Sequence, residues 1–183
     1  MKLPLFWLKD YVDIDCTPEE LEAKLFSCGF EVEEVIRVNE NVDKIVTCKI
    51  LKIEKHPNAD KLSVTQVDAG KYGVLQIVTN AKNICEGAIV PVAVDGATLA
   101  SGDRIFNGKI RDVESFGMFC SGEELGINDD WYEGAGKNEV LIFKEDFPLG
   151  EEVKKLLDSE YVMFDINVTA NRPDCQSIYG LAR

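Results

Sequence analysis

The spacing of apolar and polar residues changes twice along the chain, and each change predicts a different kind of structure. A helix is predicted to begin at Thr17, because Thr17 and Glu20 can form a capping box and Pro18 fits the first helical turn. Gly29 ends that helix, and residues 30–38 then alternate apolar with charged side chains. Alternation at period two is typical of a strand with one solvated face, so this segment predicts a small helix and strand unit.

From residue 39 the chain consists of short β-branched runs separated by glycine, asparagine and aspartate. The six runs are KIVTCKILKIEK, KLSVTQVDAG, VLQIVTNA, AIVPVAVDGATL, GKIRDVESFGMFCS and KNEVLIF. Six short strands joined by turns are typical of a small closed barrel. One helical turn is predicted at residues 123–126, and the sequence DDWYEGAGK that follows Asn128 is predicted to be a surface loop.

The helix and strand pattern returns after residues 147–150, FPLG, which we interpret as a hinge. EEVKKLLDS predicts a short amphipathic helix, YVMFDINV predicts a strand, and Asp174 is positioned to cap a final helix. Because that helix is still continuing at Arg183, we expect the chain to be part of a longer protein.

Together these patterns predict an α+β fold in which a barrel is inserted into a small α/β module formed by both chain ends. The barrel occupies residues 40–149, and the module combines residues 1–39 with residues 150–183. This arrangement places the predicted strands at residues 30–38 and 161–168 in one sheet.

Composition limits the function classes that fit this chain. Lysine and arginine total 20 against 33 aspartate and glutamate residues, so the net charge is −13 and any nucleic-acid contact must be confined to a local surface. Six cysteines without a CxxC pair and a single histidine argue against a zinc site. The N-terminal segment reaches Asp10 too soon for a secretory or membrane segment. We therefore expect a cytoplasmic protein with reduced thiols and no membrane partner.

The run KHPNADK, residues 55–61, is the first candidate for chemistry. Pro57 fixes one backbone torsion and Asn58 can hydrogen-bond its own backbone, so a rigid turn is predicted. This turn presents the donor groups of Lys55, His56 and Lys61. Four lysines between residues 49 and 61 outnumber two acidic residues, which makes this segment the best candidate for a phosphate contact. The alternative is a stiff hairpin whose lysines form a solvated strand face.

The strand that precedes this turn contains three of those lysines at a spacing of three residues. By strand parity Lys49 and Lys55 share one face, whereas Lys52 lies on the other face unless a bulge intervenes.

The run ESFGMFCSGEELGI, residues 114–127, is the second candidate. Gly117 allows another backbone or a base to approach closely, and Met118 can offer a packing surface. The hydroxyl groups of Ser115 and Ser121 can hydrogen-bond to bases or phosphates. In the alternative interpretation Met118 is a core residue and Ser121 caps the turn that follows it.

Catalysis by these residues is not expected. A serine or cysteine nucleophile needs a nearby base, and the only histidine, His56, lies in the first motif. No GxxxxGK[ST] loop is present to hold nucleotide phosphates. The chain is therefore predicted to be a binding module without catalytic residues, metal ligands or a cofactor of its own.

Both motifs, together with the intervening LQIVTNAKNICEGAIVPVAVDGATL, resemble the OB-fold tRNA-binding domain of free-standing tRNA-binding proteins and several aminoacyl-tRNA synthetases. The two ends, LFWLKDYVDIDCTPEELEAKLFSCGFEVEEV and NVTANRPDCQSIYGLAR, resemble the N-terminal region of the bacterial phenylalanyl-tRNA synthetase β-subunit family. The resemblance covers essentially the whole chain in order. Two departures are Asn80 and Asp112, at positions where the family usually has glycine.

This resemblance implies an OB-fold barrel inserted between the halves of a split α/β domain, with tRNA and not DNA as the partner. The RNA-facing residues that it implies are His56, Asn58, Lys61, Ser115, Met118 and Ser121, with Lys55 as a supporting charge. It also implies a catalytic α subunit as partner in an (αβ)2 heterotetramer, where ATP and magnesium are used by the assembled ligase. The chain itself is expected neither to aminoacylate nor to edit.

Three function classes follow from the sequence. They are a ligase subunit fragment whose barrel contributes to tRNA binding, a free-standing tRNA-binding protein, and a structural barrel that serves synthetase assembly. The end segments WLKDYVDID and NRPDC favour the first class over the second. The residues leave the first and third classes open, because an acidic barrel can be a scaffold that kept the motif.

Overall fold

The computed structural model describes residues 1–127 and 139–183, so the loop predicted at DDWYEGAGK lies outside the described residues. The chain divides into two compact units, one combining residues 1–40 with 160–183 and the other spanning residues 41–159. Within the described ranges, no helix is long and apolar enough to cross a membrane.

The first unit is a three-stranded antiparallel sheet with short helices packed on it. Its strands are β1 (Lys2–Pro4), β2 (Glu31–Val38) and β11 (Tyr161–Asn167), and their order in the sheet is β1-β11-β2. Its helices are α1 (Leu5–Lys9), α2 (Pro18–Ser27) and α4 (Ile178–Ala182). β11 pairs with β2, so strands from both ends of the chain share one sheet, as predicted.

Helix α2 begins as its sequence predicts, with a complete capping box. The amide of Thr17 donates to Glu20 Oε2 at 3.0 Å, and the amide of Glu20 donates to Thr17 Oγ1 at 3.2 Å. The buried core between the helices and the sheet consists of Leu3, Leu8, Leu21, Leu25, Phe164 and Ile166. Local capping and an apolar helix face therefore build this unit together.

The start of α4 differs from the prediction. Ser177 is its cap, because the Ser177 hydroxyl accepts a hydrogen bond from the amide of Gly180 at 3.1 Å. Asp174, the predicted cap, instead lies in a 3₁₀ turn, Pro173–Cys175, and its carboxylate accepts from Arg172. The chain thus makes one extra turn before the helix begins.

The described part of the second unit is a strongly curled sheet with a short α-helix, α3 (Val153–Leu156), and a 3₁₀ turn, Gly70–Tyr72. Its strands are β3 (Asp43–Lys55), β4 (Ser63–Asp68), β5 (Val74–Thr79), β6 (Ile89–Thr98), β7 (Arg104–Ile105), β8 (Gly108–Ile110), β9 (Val113–Ser115) and β10 (Met118–Phe119). The main sheet has the order β10-β6-β3-β4-β5 with β7 paired to β6, and β8 and β9 form a separate hairpin. Register shifts within β3 allow the sheet to curl into an OB-like half-barrel, which confirms the predicted fold class.

The described strands do not close into the full barrel that was predicted. β5 and β10 lie at the two ends of the sheet order and share no ladder, although the segment leading into β10 contacts β5, where the amide of Phe116 donates to the Gln76 carbonyl at 2.8 Å. The predicted strand KNEVLIF contributes, in its described part, only an isolated bridge between Phe143 and Ile89. Of the candidate site residues, Met118 and Ser121 lie on this side of the sheet.

The boundary between the two units lies after Ser159, ten residues beyond the predicted boundary at 149/150. The amide of Gly150 donates to the Thr47 carbonyl at 2.8 Å, and the amide of Thr47 donates to the Glu151 carbonyl at 3.0 Å. Val153 of α3 is fully buried among barrel side chains. Residues 150–159 therefore belong to the barrel unit, because their hydrogen bonds and apolar contacts lie there.

Candidate nucleic-acid interface

The HPNAD segment after β3 is a tight loop built around a buried histidine. His56 is only 5% exposed, and its backbone amide donates to the Leu62 carbonyl at 3.1 Å. Its ring Nδ1 accepts a hydrogen bond from the amide of Asn58 at 3.0 Å. Because Nδ1 is an acceptor, the ring proton of the neutral imidazole lies on Nε2, which donates to the Ile110 carbonyl at 3.1 Å. His56 thus closes the loop and also ties it to strand β8.

The β8–β9 hairpin turns through two residues in the left-handed region, Arg111 with φ 51° and Asp112 with φ 70°. A two-residue hairpin with both φ values positive is a type I′ turn, in which glycine or asparagine is preferred. The side-chain amide of Asn58 donates to the Arg111 carbonyl at 3.4 Å. Loop and hairpin therefore meet through two hydrogen bonds, one from His56 and one from Asn58.

This docking creates a small cationic surface. We define the loop–hairpin edge as Lys55, His56, Asn58, Lys61 and Arg111. Lys55, Lys61 and Arg111 are exposed, and no ion pair involves any of them within residues 1–127 and 139–183. By contrast, two lysines nearby in the sequence are paired with carboxylates, Lys52 with Glu54 and Lys109 with Glu114. The three cations of the edge outnumber the two exposed carboxylates beside them, Asp60 and Asp112, in a chain whose net charge is −13.

The lysines of β3 do not have the predicted distribution between the two faces of the strand. Lys49 pairs with Asp68 and Lys52 pairs with Gln66, with a register shift between Ile50 and Lys52. Asp68 and Gln66 point to the same face of β4, so Lys49 and Lys52 share one face of β3. The prediction that Lys49 and Lys55 share a face is therefore wrong, because the bulge at Leu51 reverses the parity of the later residues.

Ser115 attaches the hairpin to the sheet. Its side chain is buried, donates to the Gly117 carbonyl at 2.9 Å and accepts from the amide of Val78 in β5 at 3.1 Å. Gln76 of β5 adds a hydrogen bond from its side-chain amide to the Glu114 carbonyl at 2.7 Å. The hydroxyl of Ser115 is thus committed to protein groups and positions the hairpin.

Ser121 holds the turn that follows β10. Both its amide, at 2.6 Å, and its hydroxyl donate to Oε2 of Glu124. Ser121 is 7% exposed, and among the described residues no backbone amide donates to its hydroxyl, so only the half of a capping box in which Glu124 accepts from the Ser121 amide is formed. The turn itself is closed by a hydrogen bond from the amide of Ile127 to the Gly122 carbonyl at 2.9 Å.

A cleft of ≈ 390 Å³ is lined by residues of β5, β8 and β10 and of the neighbouring loops. Its lining combines apolar side chains with carboxylates and amides. The lining residues are Leu62, Val78, Thr79, Asn80, Ala81, Ile110, Met118, Phe119, Ser121, Glu124, Glu139 and Val140. Met118 is half-buried and contributes to the wall, so it is partly core and partly accessible.

Two cysteine thiols are buried inside the barrel unit. Burial, reinforced by the negative charge of Asp68, raises the pKa of Cys48 to about 12. Burial, followed by the charge of Glu124, also raises the pKa of Cys120 well above its ordinary value. Neither thiol therefore provides a thiolate nucleophile at neutral pH.

The structure divides the predicted site residues into two groups. Lys55, Asn58 and Lys61 are exposed on one edge, and Met118 is partly exposed in the cleft. The buried side chains of His56, Ser115 and Ser121 have internal hydrogen-bond partners and act as positioning residues. Direct contact between any of these residues and RNA stays a prediction.

Sequence reasoning did not place Arg111 or Glu124 among the site residues. Arg111 reaches the edge only because a hydrogen bond joins its hairpin to a loop 53 residues earlier. Glu124 lines the cleft because the turn beside β10 faces the open side of the sheet. The one sequence signal for Glu124 was its spacing of three residues from Ser121, which is typical of a capping box.

Comparison with known proteins identifies what this chain is similar to. Residues 45–152, more than half of the chain, match the family model described as "Putative tRNA binding domain". Over 183 residues the chain is 45% identical to the phenylalanine–tRNA ligase beta subunit of Clostridium acetobutylicum and 44% identical to that of Clostridium tetani. A beta subunit from Burkholderia lata is 39% identical over 189 aligned residues. These alignments include the whole chain but only 22–23% of each relative.

Proposed function

Because this chain belongs to the tRNA-binding-domain family, we propose that its barrel unit binds tRNA through the loop–hairpin edge. Phosphate groups of the RNA backbone pair with Lys55, Lys61 and Arg111. The edge presents cationic side chains on a hydrogen-bonded loop and hairpin. Such side chains suit contact with the RNA phosphate backbone more than recognition of bases.

The observation that carries this proposal is the double attachment of the loop to the hairpin. His56 and Asn58 each bind a carbonyl of the β8–β9 hairpin, at 3.1 Å and 3.4 Å. These bonds hold three cations from two separate segments on one edge. Because the two backbone segments are already joined, less conformational entropy is lost on binding than if the segments moved independently.

We further propose that the chain is the tRNA-contacting first part of a phenylalanine–tRNA ligase β subunit. The support is identity of 39–45% to such subunits along the entire chain. Because the chain spans about a fifth of these relatives, activation of phenylalanine with ATP and magnesium is assigned to the assembled ligase. Its partner is a catalytic α subunit in an (αβ)2 heterotetramer in the cytoplasm. The chain itself contributes binding and neither aminoacylates nor edits.

The test is binding of tRNA(Phe) to the chain across a salt series, with a Lys55→Glu/Lys61→Glu variant alongside. A plot of log affinity against log salt concentration falls less steeply when two phosphate contacts are lost. The magnitude of its slope should decrease by about 1.4 to 1.8. The melting temperature should change little, because both lysines are exposed.

The matched control is Lys49→Glu/Lys71→Glu, which makes the same change in net charge elsewhere on the barrel unit. Lys49 precedes Lys55 by six residues, or roughly 20 Å along an extended strand, and lies on the other face. Lys71 lies beyond the far end of β4. The proposal requires the edge variant to lose more affinity and more salt dependence than the control, and equal losses would contradict it.

A second candidate function, assembly with other protein parts of a synthetase, is favoured by one observation in the first unit. Four aromatic side chains there, Phe6, Trp7, Tyr11 and Tyr179, are between 48% and 62% exposed. Exposed aromatic side chains are enriched at protein–protein interfaces. Absence of tRNA binding by the chain at low salt would favour this function over the first.

A further inference from the structure

We propose that the cleft between β5 and β10 binds a single unstacked guanine base of the RNA that the loop–hairpin edge holds. The inference rests on the proposed function, because it extends the same surface from phosphate contact to base recognition. Four features carry it: the volume of the cleft, its apolar walls, a carboxylate inside it, and the cations beside it.

The volume and the walls fit one nucleobase. Ligand sites usually measure roughly 300–1,000 Å³, so a cleft of ≈ 390 Å³ accepts a nucleoside and excludes a folded RNA element. Leu62, Ile110 and Met118 provide apolar surface on the lining. A thioether packs well against an aromatic ring, so Met118 can support the face of a base. An extruded base that packs in this way is the usual target of sequence recognition in single-stranded RNA.

The polar part of the lining selects the base. Glu124 accepts two hydrogen bonds from Ser121, and both end on Oε2. Within the described residues, no hydrogen bond to Oε1 is found. An ionised carboxylate accepts hydrogen bonds and donates none. Guanine presents two adjacent donors, N1–H and the N2 amino group, whereas uracil presents a single N–H at that edge.

The charges around the cleft distinguish a nucleotide from other ligands. Leu62 and Ile110, which line the cleft, directly neighbour Lys61 and Arg111 in the chain. A small anion is repelled by Glu124 inside the cleft, and a cationic peptide side chain is repelled by Lys61 and Arg111, which adjoin lining residues in the chain. A nucleotide carries a negative phosphate and a hydrogen-bond-donating base, so it matches both parts.

The experiment measures fluorescence anisotropy of labelled single-stranded oligouridine at low salt, with the central base uridine, guanosine or inosine. We expect the guanosine RNA to bind about tenfold more tightly than the uridine RNA, in the range of hydrogen-bonded base recognition. Inosine keeps N1–H but lacks the N2 amino group, so its affinity should fall between the two. This comparison uses the unaltered chain and therefore needs no variant to fold.

A pair of variants then assigns the preference to one carboxylate. Glu124→Gln should remove most of the guanosine preference, whereas Glu123→Gln should keep it. Glu123 is exposed, is absent from the cleft lining and makes the same charge change one residue away. Both variants raise the overall affinity for RNA by removing a negative charge, so the ratio of the two affinities is the readout.

Equal binding of the uridine and guanosine RNAs would overturn the cleft inference. If that equal binding still weakens with salt and in the Lys55→Glu/Lys61→Glu variant, the proposed tRNA-binding function stands without it. Absence of binding by all RNAs at low salt would overturn both.

Discussion

Replacing His56 tests the support on which the binding surface depends. His56→Ala removes two hydrogen bonds, one from the amide of Asn58 and one to the Ile110 carbonyl. Each such bond contributes about 1 kcal/mol net, and an imidazole that is 5% exposed adds a loss of packing. We therefore expect the free energy of unfolding of the barrel unit to fall by ~2–3 kcal/mol. Affinity for tRNA should also fall, because the buried His56 holds the loop that carries Lys55 and Lys61 against the hairpin that carries Arg111.

The assay is urea unfolding followed by circular dichroism, together with hydrogen exchange of the Asn58 amide. Two further variants separate the bonds. The side-chain oxygen in His56→Asn can still accept a hydrogen bond from the Asn58 amide. The side-chain amide in His56→Gln can still donate to the Ile110 carbonyl. Each variant should therefore recover about half of the lost stability. A His56→Ala chain that unfolds at the same urea concentration as the unaltered chain, with an equally protected Asn58 amide, would refute the reasoning.

Two other predictions concern stability. Gly117→Ala should destabilise the barrel by roughly 1–3 kcal/mol, because an added Cβ would lie 2.6 Å from a backbone carbonyl oxygen of β6. Gly108→Ala, where a Cβ meets nothing within 4 Å, should change the melting temperature little, and equal shifts would contradict the argument. The hydrogen bond from Lys155 lowers the pKa of Glu152 below its ordinary value of 4.5. A lowered folded-state pKa stabilises the protein above pH 4.5, and this contribution is lost as the pH falls through the folded-state value. Glu152→Gln should therefore flatten the acid limb of melting temperature against pH, and an unchanged acid limb would count against the assignment.

An acidic chain can bind RNA only if its cations are gathered locally. The net charge of −13 repels phosphate at long range, but this repulsion is screened beyond about 10 Å at 0.1 M salt. Within that distance, Lys55, Lys61 and Arg111 determine the local potential together with the exposed carboxylates beside them, Asp60 and Asp112. We therefore expect tRNA affinity to be modest for the isolated chain, with selectivity set by contacts at the edge and the cleft.

Local sequence patterns were sufficient to predict several elements of the structure. Thr17 and Glu20 predicted the start of α2, and the alternation in residues 30–38 predicted β2. The turn chemistry of Pro57 and Asn58 predicted a tight turn, and the structure has a loop there that is closed by a hydrogen bond from the His56 amide to the Leu62 carbonyl. These predictions succeeded because capping boxes, strand alternation and proline turns depend on contacts between residues a few positions apart.

By itself the sequence determined the fold class, the order of elements and the segments that carry the candidate chemistry. Only the tertiary structure decided that Arg111 lies beside Asn58, that a bulge at Leu51 places Lys52 with Lys49, and that residues 150–159 belong to the barrel. It also showed that His56 is buried and links the loop to the hairpin. The physical reason is that these features arise from hydrogen bonds and packing between residues far apart in the chain, which no local pattern specifies.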